Sequence, residues 1–119
     1  MSNLNQSLEQ LMAFDGALCA AVVDYNSGML LGSAGSGVDM EVAAAGNTEV
    51  VRAKLRAMKL QGMDDQIEDF LITLGKQYHI LRPSESIQGI FLYYVLDTSR
   101  ANLALARRKV KDVSNELSL

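Results

Sequence analysis

The chain has one histidine, His79, and one cysteine, Cys19, in 119 residues, and these limit the chemistry it can perform. A histidine-based metal cluster or a Cys–His nucleophile–base pair needs such groups at usable local spacing, and none is present. His79 is expected as a half-buried strand residue. Cys19 lies inside the apolar run 17–23, forms no intramolecular disulfide, and reads as a buried thiol. Asp64, Asp65, Glu68 and Asp69 make the densest acidic group. Their spacing is not that of an EF-hand, and carboxylates around a strand start usually keep a sheet edge soluble. The glycine-rich stretch 32–37 falls between an expected strand and an expected helix, where phosphate cradles occur, but it matches neither GxGxxG nor the Walker pattern and reads as a flexible connector. Ser33 and Ser36 have no adjacent base and no GxSxG elbow. No catalytic, cofactor-binding or metal-ligating residues are therefore assigned, and a non-enzymatic protein is expected.

The elements that would position these residues follow from hydrophobic spacing. Leu4, Leu8 and Leu11, with Met12, recur at helical intervals, and the helix ends near Phe14 before Asp15-Gly16. Residues 17–23 and 29–31 are apolar strands joined through Asp24-Tyr25-Asn26-Ser27-Gly28, with Gly28 supplying the positive φ of the hairpin turn. A helix is predicted over 38–60, its start capped by Ser36 or Asp39. Strands follow at 67–74, 77–81 and 90–96, the last fully apolar and suited to a sheet centre. Asp97, Thr98 and Ser99 are candidate caps for a final helix striped by Leu103, Ala106, Val110, Val113 and Leu117. Short links imply antiparallel neighbours. The expected fold is α+β, in the order α-β-β-α-β-β-β-α, with a five-stranded antiparallel sheet flanked by helices in a single domain over 1–119.

Composition narrows the partners. A net charge of −3 with no basic surface argues against nucleic acid, and no apolar run approaches the roughly 18 residues needed to span a bilayer, so neither a nucleic-acid partner nor membrane insertion is expected. With a polar start that lacks a cationic leader, the expected location is the cytoplasm.

The unusual feature is surplus apolar surface. At about 100° per residue, the helix 38–60 has an apolar arc of roughly half its circumference, wider than one sheet face requires. Met40, Ala44, Val51, Leu55 and Met58 suit the sheet. Beside them runs a line of small or β-branched residues, Ala43, Gly46, Val50, Ala53 and Ala57, with Asn47 and Lys54 near the middle of the arc, and small side chains let a second helix approach. Phe70, Ile72 and Leu74 alternate in a strand with no internal Pro or Lys to discourage pairing, which makes it the expected free edge. These ten positions are the expected homodimer interface, formed across a twofold axis. Glu41, Thr48, Glu49, Arg52 and Arg56 occupy the other side of the helix, and its four charged members, Glu41, Glu49, Arg52 and Arg56, are the expected partner-binding residues.

Asp24 to Gly28 with Leu30 and Gly32, the segment Ala101-Asn102-Leu103-Ala104-Leu105-Ala106-Arg107, and the helix around 41–58 resemble the roadblock/dynein light chain family, over the chain from its first helix to about Val113. The resemblance implies a longin/profilin-like fold, dimers formed by edge strands and side-by-side central helices, and no catalytic residues. It also implies a platform that binds a small Ras-like GTPase and modulates its nucleotide cycle, in the prokaryotic GTPase-regulator branch. The alternative is a small-ligand sensor domain with a pocket between sheet and helix, involving Tyr93, Tyr94 and Met29.

Overall fold

The computed structural model describes residues 2–119. Its elements are α1 (Leu4–Met12), β1 (Ala17–Asp24), β2 (Met29–Gly35), α2 (Met40–Leu60), β3 (Phe70–Thr73), β4 (Gln77–Pro83), β5 (Ile90–Asp97) and α3 (Leu103–Glu116). The five strands form one antiparallel sheet in the order β2-β1-β5-β4-β3. β5 is central, as its fully apolar sequence requires, and β3 is an edge. This is the five-stranded antiparallel sheet expected from the element order, and the longin-like arrangement that the family resemblance implies.

Two cores lie on the two sheet faces. On one, α1 and α3 cover Ala20, Val22, Ile80, Leu92, Tyr94 and Leu96, sealed by Leu8, Leu11, Ala106, Val110 and Val113. On the other, Ala44 and Val51 of α2 pack on Cys19, Ala21, Val23, Leu81, Phe91, Tyr93 and Val95. Alternation along each strand makes this division, since neighbouring residues such as Tyr93 and Tyr94 must point to opposite faces. The Tyr94 hydroxyl donates to the Leu11 carbonyl and ties the end of α1 to the sheet.

Several local expectations are revised. Residues 32–35 of the glycine-rich stretch are not a connector but the second half of β2, and Gly35 (φ +86°) sits so close to β1 that a Cβ would run into the Leu18 carbonyl oxygen and Cys19. Asp39, not Ser36, caps α2, accepting from the Val42 amide at 3.3 Å. At the other end of that helix, Gly62 (φ +69°) lets the Met63 amide reach the Met58 carbonyl at 2.9 Å, a Schellman closure. The cap of α3 is Asn102, accepting from Leu105 N at 3.1 Å, because Asp97 is already engaged by the backbone amide and hydroxyl of Ser99. β3 is shorter than the predicted 67–74. Asp69, just before it, is held by two bonds from Arg107 of α3, at 2.8 and 2.9 Å.

Candidate functional site: the α2 flank and the β3 edge

α2 packs on β1 and β2, so it covers one half of its sheet face. Ala44, Thr48, Val51 and Met58 are its buried line. Thr48 belongs to this line and not to the polar side where its residue type placed it. Its hydroxyl donates to the Ala44 carbonyl at 2.7 Å, so burial leaves no polar atom unpaired. Met40 packs at the margin of the same core, while Leu55 stays more than a third exposed.

The flank of α2 next to this line is the row of small residues. Ala43, Asn47 and Ala57 are half-buried, Gly46, Ala53 and Lys54 are exposed, and Val50 is 40% exposed. This flank faces β5, because the Asn47 side chain comes close enough to the Tyr93 hydroxyl to favour its charged form. The chain of contacts then continues along the sheet. The Tyr93 hydroxyl lies 3.0 Å from His79 Nδ1, the two rings meet edge to face at 5.5 Å, and His79 Nε2 lies 2.9 Å from Gln77 Oε1. Gln77 Oε1 can only accept, so Nε2 carries the hydrogen and Nδ1 accepts from the tyrosine.

Beyond His79 the same face reaches the edge strand. Ile72 is the cross-strand partner of His79 and Phe70 that of Leu81, which places both on the α2 side of the sheet. Both are half-buried, and Leu74 just past the strand is 45% exposed. The structure thus brings the ten positions read as a contact surface onto one face. They form two strips, the α2 flank and the β3 edge, bridged by Asn47, Tyr93, His79 and Gln77. Sequence reasoning missed the last three of these bridging residues as a group. The signal was available in the period of two that puts positions 77 and 79 on one face of β4.

Burial lowers the His79 pKa from its ordinary 6.5 by withdrawing water from the charged ring. It raises that of Tyr93 for the same reason, with Cys19 adding to the rise and Asn47 opposing it. The Cys19 thiol, fully enclosed, is pushed up to about 11 by burial alone. These are the directions of groups held neutral in a core.

Glu41, Glu49, Arg52 and Arg56 are all exposed on the opposite flank of α2. Arg52 and Arg56 line a shallow cleft with Leu55 and the hairpin residues Tyr25 and Asn26. The candidate chemical residues stay apart: Ser33 is on edge strand β2 and His79 on β4, with β1 and β5 between them. Tyr93, Tyr94 and Met29 are not gathered either, since the two tyrosines point into opposite cores and Met29 is 62% exposed.

A sheet of this order, with two helices on one face and one on the other, is the fold of roadblock/LC7 domains. The solved structures it matches include Myxococcus xanthus MglB, at TM-score 0.83 and 24% identity, covering 95% of this chain and 89% of that one. The roadblock/LC7 domain from Streptomyces avermitilis matches at TM-score 0.79 and 13% identity, over 97% and 94% of the two chains. An MglB solved with a tetrameric arrangement matches at TM-score 0.81 and 18% identity, over 96% and 84%. No protein-family model and no curated protein sequence matches the chain. No helix among the described residues is long and apolar enough to cross a membrane.

Proposed function

We propose that the chain is a non-enzymatic, cytoplasmic homodimeric scaffold that binds a small Ras-like GTPase and modulates its nucleotide cycle. The observation that carries this reading is the continuity of the exposed small-residue flank of α2 with the free β3 edge on one face. In a twofold pair, β3 of each copy aligns with the other, the two sheets become one, and the α2 helices lie side by side with Gly46 and Ala53 at their closest approach. The tetrameric arrangement of a structurally similar MglB supports self-association in this fold.

Pairing of that kind leaves Glu41, Glu49, Arg52 and Arg56 facing outward. A GTPase held against these charges would have its switch regions biased toward one conformation, while the groups that perform hydrolysis belong to the GTPase itself. Light scattering at micromolar concentration tests the first half of the proposal, with a dimer expected and a strict monomer removing it. The second half is tested with a Ras-like GTPase encoded beside the gene. Retention on the immobilised dimer and a changed rate of nucleotide release or hydrolysis are expected. An Arg52→Glu/Arg56→Glu variant should stay dimeric and lose both effects, and unchanged capture by that variant would displace the assigned surface.

A further inference from the structure

His79 lies in the strip of sheet between the α2 flank and the β3 edge, on the face that self-pairing covers. In the single chain the residue is half-buried, and the exposure it keeps is what a second copy removes. Its neighbours suit a neutral imidazole. From β4, Gln77 Oε1 accepts from Nε2, and from β5 the Tyr93 hydroxyl donates to Nδ1. A second proton on the ring sets an Nδ1 donor against a hydroxyl donor. The Tyr93 hydroxyl must then reorient, and the group beside it is the neutral amide of Asn47.

Among the described residues no ion pair involves His79. β3 sets Ile72 opposite the ring, and β1 contributes the Cys19 thiol behind Tyr93, held neutral by a pKa of about 11. Asp97 of β5 lies across from Gln77, but its carboxylate is taken by the Ser99 amide and hydroxyl. Asp69, before β3, is held by Arg107, and Glu41 and Glu49 lie on the far flank of α2. The remaining charges are cations, Lys76 at the β3–β4 turn and the exposed Lys54 of α2. In the twofold pair that sets Gly46 against Ala53, Lys54 of the second copy approaches Gly46 and Asn47 of the first and adds positive charge to this strip. We propose, resting on the reading of this face as the dimer interface, that His79 makes self-pairing acid-sensitive: the neutral ring fits the closed interface and the imidazolium drives the copies apart. In the separated chains a charged ring keeps part of its hydration, so the imidazole pKa is lower in the pair than in the single chain. The dissociation constant is then flat above the single-chain pKa and rises below it. Each dimer carries two such rings, so the rise approaches about two decades per pH unit.

His79 is the only histidine, so its ring protons titrate without overlap in proton NMR. The test follows them in concentrated wild type and in Gly46→Leu, held at a concentration where sedimentation shows single chains. A lower imidazole pKa in the wild type is expected. Sedimentation velocity should give a wild-type dissociation constant about tenfold or more larger at about pH 5 than at about pH 7.5. His79→Gln has no titrating ring, and the ratio of its two dissociation constants should fall close to one. The far-ultraviolet circular dichroism of Gly46→Leu should be retained at the lower pH, and its loss would assign the weakening to unfolding and overturn the inference. So would a wild-type affinity equal at both pH values, an equal imidazole pKa in the two species, or the same acid weakening in His79→Gln, each of which leaves the dimer itself standing. A wild type that is monomeric at the higher pH would instead remove the dimer reading, and the inference with it.

Discussion

Tyr93, His79 and Gln77 form a polar chain from β5 to β4, with Asn47 of α2 beside the Tyr93 hydroxyl, at the boundary between the covered and uncovered halves of the sheet face. Both ring nitrogens of His79 are answered, one by the Tyr93 hydroxyl and one by Gln77 Oε1, so the imidazole crosses an apolar layer with its donor and its acceptor paired. His79 makes this network sensitive to acid. Its folded pKa is lowered by burial, so as pH falls the unfolded chain takes up the proton first. The contribution of His79 to stability is whole above the ordinary value of 6.5 and is lost as pH drops toward the folded pKa. Denaturant unfolding between about pH 8 and pH 5 should show a steeper loss for the wild type than for His79→Gln, and equal slopes would contradict the assignment. The alternation of its strand is enough to mark a lone histidine as half-buried. That it answers Tyr93 is not legible in that alternation, because the bond depends on the register of β4 against β5.

At the scale of elements, two glycines separate packing from pairing. Gly35 closes β2 against β1 in a positive-φ conformation with no room for a Cβ, whereas Gly37 (φ +99°) has nothing within 4 Å. Gly35→Ala should cost at least about 2 kcal/mol and Gly37→Ala about 1 kcal/mol, measured by urea unfolding. A similar cost at both sites would mean that the close approach to Leu18 is not maintained. Gly46 is different again, since it is helical and a Cβ there meets nothing within 4 Å. Gly46→Leu should leave the single chain as stable or up to about 1 kcal/mol more so, because leucine favours helix. In the proposed dimer the same side chain overpacks the helix–helix contact and should weaken association by about 1–3 kcal/mol. Glu49→Ala should change association by less than about 0.5 kcal/mol. Sedimentation velocity distinguishes them, and equal behaviour would move the contact elsewhere on α2. The small-residue row was legible from spacing alone. The true end of β2 was not, because a run of glycine, serine and alanine carries no strand periodicity, and it is the ladder with β1 that makes it a strand.

For the whole molecule, self-association predicts that thermal stability depends on protein concentration. A dimer that unfolds to two chains should gain about 3–5 °C in its midpoint for each tenfold rise in concentration, and Gly46→Leu should flatten that dependence. A midpoint independent of concentration in the wild type would argue for a self-sufficient single chain. Element order, the central place of β5, the free edge at β3 and the division of α2 into a core line and a small-residue flank were all determined by the sequence itself. Hydrophobic period and turn chemistry are properties of near neighbours, and they survive without knowledge of the fold. Only the tertiary structure decided that Thr48 is buried, that Asn102 caps α3, that Asp69 serves Arg107, and that Arg82 is enclosed with an unanswered nitrogen. Each of these depends on which distant segment arrives opposite a side chain, and that is set by strand register and helix placement, to which no local pattern refers.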